Sequence, residues 1–160
     1  MAGQAPPDRY CKEIAVCRNL KLVATAAVFL LIASARLSAG EEPLDKLIAR
    51  AEAGGEKQAE LYVDVARRYA EEASQHLGSG DFIKTRDDIQ SVLSYAEKAR
   101  ATVGRSEGRI KQTELKMHKL QRRLEELARA ADVDDRPPIT AAAEHVQELR
   151  SELLELLFRK

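Results

Sequence analysis

The stretch DVDDRPP, residues 132–138, sets three carboxylates and an arginine in front of two prolines. Carboxylates spaced D-x-D open a calcium-binding loop, in which alternate side chains converge on one hard cation. Here the spacing then fails. Arg136 stands at the next ligand position, Pro137 stands where glycine turns such a loop, and Ala143 stands where a glutamate would close it. A guanidinium among the ligands repels the ion. The segment instead predicts a corner between two helices, with an aspartate capping the second and the prolines in its first turn, where missing N–H groups cost little.

The other chemistry-bearing residues are scattered. His76, His118 and His145 have no second histidine three or four residues away, and none sits in the Glu-x-x-His spacing of a di-iron bundle. All three read as solvated helix histidines, His76 at a helix end where an imidazolium complements the dipole. GSGD and GRSEG lack the preceding strand and the lysine of a phosphate loop. The serines stand in no nucleophile elbow. Runs such as KLQRRLEEL and RSELLEL read as salt-bridged helix surface, and no long loops are present to build a cleft around paired acids. The expectation is a protein that is not an enzyme, with no catalytic residue, no metal ligand and no cofactor-binding residue.

Charge and export narrow the class further. The chain carries 26 basic and 26 acidic residues. Arg9, Lys12, Arg18, Lys21 and Arg36 outnumber Asp8 and Glu13 in the first 40 residues, so the remainder is mildly acidic. A chain without a basic field is a poor partner for nucleic acid. The basic head, residues 1–21, precedes the uncharged run LVATAAVFLLIASA at 22–35, and small residues follow in SARLSAG. This order predicts a secretory signal peptide over 1–40, with Ser38 and Gly40 at the positions read by the peptidase. The run is shorter than the roughly 20 residues of a spanning helix; left uncleaved, it would be an N-terminal membrane anchor. Glu41 stands where a lipoprotein would have its lipid-bearing cysteine. Cys11 and Cys17 both lie in the head, so a mature chain would contain no thiol.

The elements that must position any site are helices. Apolar residues recur three and four apart over about 43–53, 56–77, 82–103, 109–131 and 137–158, and no stretch alternates like a strand. The leading stripes are Leu44, Leu47, Ile48 and Ala51 in the first helix and Leu61, Tyr62, Val65, Ala66, Tyr69, Ala70, Ala73 and Leu77 in the second. Phe82, Ile89, Val92, Leu93, Ala96, Ala99 and Val103 mark the third. The fourth has Ile110, Thr113, Met117, Leu120, Leu124, Leu127 and Ala131, and the fifth has Ile139, Ala142, Val146, Leu149, Leu153 and Leu156. Four helices of roughly 22 residues span about 33 Å each at about 1.5 Å per residue. Short connections make consecutive helices antiparallel. The expectation is an all-α domain over 41–160, an up-down four-helix bundle or two stacked helical hairpins, preceded by a short helix. Asp81, after two glycines, is placed to cap the third helix.

ARRYAEEASQHLGSGDF followed by DDIQSVLSYAEKA resembles a tetratricopeptide helix pair, with alternating small and aromatic residues and GDF at the turn. The likeness spans about 45 residues and departs at Thr85, Val92 and Glu97, and no second copy recurs at a period of about 34 residues. It implies a groove lined with alanines and tyrosines that holds a peptide segment. Tyr62, Tyr69 and Tyr95 fall on helical stripes and read as core-edge residues whose hydroxyls reach water; in the groove reading they would line it. The C-terminal LLELLF supplies a second candidate surface through Leu153, Leu154, Leu157 and Phe158, unless it buries against the short first helix.

These residues lead to an exported, periplasmic or secreted, interaction or structural module of a bacterial cell envelope, with a protein partner or a second copy of itself. The alternatives are a bundle that binds a small ligand or metal and a membrane-anchored form. Intact-mass measurement of the native protein should place its first residue near Glu41; a first residue at Met1 would favour the anchored form.

Overall fold

The computed structural model describes residues 42–159. The expected signal segment and both cysteines lie outside the described residues. Five helices follow in order: α1 (Leu44–Glu52), α2 (Gln58–Ser79), α3 (Phe82–Thr102), α4 (Glu107–Ala130) and α5 (Arg136–Phe158). No strand occurs among the described residues.

Helix ends follow from local chemistry. The α2–α3 turn needs a left-handed residue, and Gly80 adopts φ 77° there without a Cβ to clash. Asp81 N–H donates to the His76 carbonyl at 2.9 Å, closing the end of α2. The Asp81 carboxylate then accepts from the backbone N–H of Lys84 at 3.2 Å, as a helix cap should. Lys84 Nζ also reaches Asp81 at 2.9 Å, and this hydrogen bond holds the carboxyl below its ordinary pKa.

The DVDDRPP corner forms a turn, and its capping differs from the expectation. Asp135 takes the cap position of α5 but makes no side-chain cap hydrogen bond. Instead the Asp132 carbonyl accepts from the N–H groups of Asp135 and Arg136. The Arg136 guanidinium reaches back to the carbonyls of Ala128 and Ala131, both at 3.1 Å. A cation thus satisfies orphan carbonyls at the negative end of α4, while the prolines occupy the first turn of α5.

Helix directions can be read from paired side chains. His76 meets Asp88 and Tyr69 meets Tyr95, so α2 and α3 are antiparallel. Arg150 meets Glu114 while Arg136 meets Ala128, so α4 and α5 are antiparallel too. Lys116 pairs with Asp64 and Arg123 with Ser74, which makes α2 and α4 parallel. Glu97 pairs with His145 and Arg100 with Glu152, which makes α3 and α5 parallel. The consecutive helices α3 and α4 share no extended interface. The helices therefore form two hairpins laid side by side, α2 on α4 and α3 on α5, the second of the two expected arrangements.

Alanine and leucine divide the core between the hairpins. Ala59, Ala66, Ala70 and Ala73 of α2, with Ala96 and Ala99 of α3, are buried and let these helices approach closely. Met117, Leu120, Leu124, Ile139 and Leu153 of the second hairpin fill the remaining volume. In α2, residues Tyr62, Val63, Val65 and Ala66 are all buried, a wider arc than one stripe. The cause is that α2 alone packs against three helices, α1, α3 and α4. Val63 and Ala59 therefore belong to the core although the expected stripe omitted them.

Thr113 is fully buried, and its hydroxyl has no hydrogen-bond partner among the described residues. A buried hydroxyl without a partner loses its water and gains nothing. Thr113→Val keeps the shape and removes the polar atom. Urea denaturation should show the variant about 1–2 kcal/mol more stable; equal or lower stability would mean that the hydroxyl is satisfied in solution.

Candidate functional site

A hollow opens where α3 and α5 run side by side. Its walls are Ile89 and Leu93 from α3 and Pro138, Ile139 and Ala142 from α5, with Arg86, Gln90 and Asp135 at the rim. Its volume is about 480 Å³. The hollow exists because α5 presents Ala141 and Ala142 where larger side chains would fill the gap to α3. It needs no long loop, and its lining holds one acid, Asp135, not a pair.

The mouth of the cleft is apolar as well. Phe82 was expected in the core stripe, but it is 41% exposed and lines the cleft. It sits at the first position of α3, where the helix has only begun to pack. Ile83 and Val133 are each 77% exposed, the former beside Phe82 and the latter in the corner before α5. The core positions facing this end of α3 are instead Thr85 and Asp88, both buried. The Thr85 hydroxyl donates to the Asp81 carbonyl at 2.9 Å, which lets a polar side chain sit inside. Exposed apolar residues around a concave apolar wall could have been suspected from FI at positions 82–83, but the opposing alanines meet them only in three dimensions.

The tyrosines do come together. Tyr69 and Tyr95 stack at 5.7 Å between centroids, and Tyr62 lies tilted 6.1 Å from Tyr95. Lys98 Nζ stands 4.5 Å from the Tyr95 ring centre, a cation–π contact. Gln58 donates to both the Tyr62 hydroxyl at 3.2 Å and the Ala51 carbonyl at 3.1 Å, tying the cluster to α1. Burial, aided by neighbouring carboxylates, raises the pKa of Tyr69; burial, aided by the neighbouring Tyr69, raises that of Tyr95. Tyr62 itself is buried. The cluster is therefore a zipper of the α2–α3 seam, and only Tyr69 and Tyr95 keep partial access to solvent.

The C-terminal leucines separate in the same way. Leu153 is buried in the core, Leu154 and Leu157 are half-buried, and Phe158 is exposed. They share no extended interface with α1, because α1 packs on α2 and α5 packs on α3 and α4.

The histidines keep partial access to solvent, as the sequence suggested, and two of them also hold carboxylate partners on neighbouring helices. His76 Nδ1 lies 2.6 Å from Oδ2 of buried Asp88, continuing the tyrosine seam one heptad along. This is the acid–imidazole half of a hydrolytic triad, but no hydroxyl or thiol is hydrogen-bonded to His76 Nε2 among the described residues. His145 bridges Glu97 on α3 and Glu148 on α5. His118 is half-buried, and its Nδ1 has no hydrogen-bond partner among the described residues. No three His, Cys, Asp or Glu side chains among these residues stand together as a metal site. No described helix is long and apolar enough to cross a membrane.

A second polar assembly closes the outer seam of α4 and α5. Arg150 donates to Glu114 at 2.7 and 3.0 Å and to Gln121 at 2.6 Å, and Gln121 donates to Glu125 and Gln147. Such a network finishes the stack with a polar face instead of an apolar one. The scan against protein-family models, the search of curated proteins and the search of solved structures each find no match for the chain.

The His76–Asp88 pair should act as a structural link. A double-mutant cycle of His76→Ala and Asp88→Ala in urea denaturation should give a coupling of about 1–2 kcal/mol. A coupling near zero would leave the two groups energetically independent.

Proposed function

We propose that residues 41–160 form a non-enzymatic interaction module, exported to a bacterial cell envelope, which grips apolar side chains of a protein partner in the α3–α5 cleft. The observation that carries this reading is the cleft itself, walled by Ile89, Leu93, Ile139 and Ala142 and lined at its end by half-exposed Phe82, with exposed Ile83 the next residue of α3. Exposed apolar residues around a concavity mark association, because covering them removes apolar surface from water. The leucine patch is a lesser candidate, since only Phe158 projects fully. The N-terminal basic and apolar run of the sequence supports export.

A second reading shares the site. A volume of about 480 Å³ falls within the range of about 300–1,000 Å³ for small-molecule pockets, so an apolar small ligand also fits. Native mass spectrometry of protein from its source separates the readings, because a retained small molecule adds a fixed mass.

A photo-crosslinking residue at Ile83 should trap a discrete protein partner in cells, while the same residue at Glu126 on α4 should not. Leu93→Glu, which sets a charge into the cleft wall, should reduce trapping at Ile83 at least tenfold. Equal trapping from both positions, or trapping unchanged by Leu93→Glu, would rule the cleft out as the docking surface.

A further inference from the structure

We propose that His145 is a proton-operated clasp on the α3–α5 seam, closed as the imidazolium and loosened as the neutral ring. The geometry points to this. Nε2 lies 2.9 Å from Oε1 of Glu97 on α3, and Nδ1 lies 3.3 Å from Oε2 of Glu148 on α5. Both partners are carboxylates, which only accept hydrogen bonds when ionised, whereas a neutral imidazole has a single N–H to donate. Both contacts are hydrogen bonds at once only when both ring nitrogens carry protons.

The surroundings reinforce the protonated state. From α3, the charged groups along this seam are Arg86 at the cleft rim, Glu97 and Arg100, and Arg100 is engaged by Glu152 at 2.8 Å. On α5 itself stand Glu144, Glu148 and Glu152. From α4, on the other side of α5, Glu114 is committed to Arg150 and Glu125 to Gln121. Among the described residues no second cation pairs with Glu97, and a neutral His145 leaves it among the glutamates of α5. The hydrogen bond from His145 to Glu97 raises the histidine pKa against the opposing effect of burial.

The position gives the clasp its consequence. Glu97 lies four residues beyond Leu93, and His145 three beyond Ala142, so the clasp marks the inner end of the cleft. Among the described residues, the other ion pair across this parallel seam is Arg100–Glu152, one turn further along α3. Arg100 stays charged at all relevant pH values. The device therefore changes only the seam beside the cleft. It stands whether or not the cleft takes a partner.

The sign follows from linkage. A histidine whose folded pKa is raised contributes stability fully below the ordinary value of about 6.5, and that contribution is lost as pH rises through the folded value. NMR titration of the full-length protein should place His145 above about 6.5, and Glu97→Gln should lower it. Amide exchange in residues 89–97, corrected for intrinsic rates, should be about two- to fivefold more protected at pH 6 than at pH 8, as expected for a partly exposed ion pair. His145→Gln should abolish that difference, whereas His145→Lys, which keeps the charge, should retain protection at both pH values. A His145 titration at or below the ordinary value, or a pH difference that survives in His145→Gln, would overturn the proposal.

Discussion

The close packing of α2 is the constraint on which the rest of the structure depends. Its buried arc must face α1, α3 and α4 together, and it does so with alanines and valines because larger side chains would hold the helices apart. Ala66, Ala70 and Ala73 draw α3 near on one side, where Ala96 and Ala99 answer them. On the other side the leucine-rich second hairpin supplies the volume that the first lacks. Small against large is what allows two unlike hairpins to share one interior at native density.

The outer seams of the two hairpins carry different chemistry. Between α2 and α3 lies a ladder of Tyr62, Tyr95 and Tyr69, ending in His76 and Asp88, and α1 is pinned beside it through Gln58. Between α4 and α5 lies the network of Glu114, Arg150, Gln121, Gln147 and Glu125. The aromatic seam invites a further layer and receives α1, whereas the polar one ends the stack. On the α3–α5 side apolar surface stays open in a hollow, because Ala141 and Ala142 stop short of α3.

The resemblance to a tetratricopeptide helix pair finds a limited physical counterpart. Hairpins that stack with α2 beside α4 and α3 beside α5 place like helices in parallel, as a repeat array would. The groove differs from the implied one. Tyr62 is taken into the core, and the open hollow lies on the α3–α5 side.

The sequence by itself determined that residues 42–159 are helical, where each helix begins and ends to within about two residues, and which stripe of most helices goes inside. These are local matters, governed by a 3.6-residue period, by glycine at φ 77° and by an aspartate within reach of free N–H groups. Only the tertiary structure decided which helix lies beside which, since the short α3–α4 link leaves its two helices diagonal and a stripe does not name the stripe it meets. It also decided the fate of the polar residues. Asp88 could not be read as buried without His76 opposite, nor His145 as a bridge without Glu97 on another helix. Burying or pairing a charge depends on a partner far along the chain, and sequence spacing holds no record of that distance.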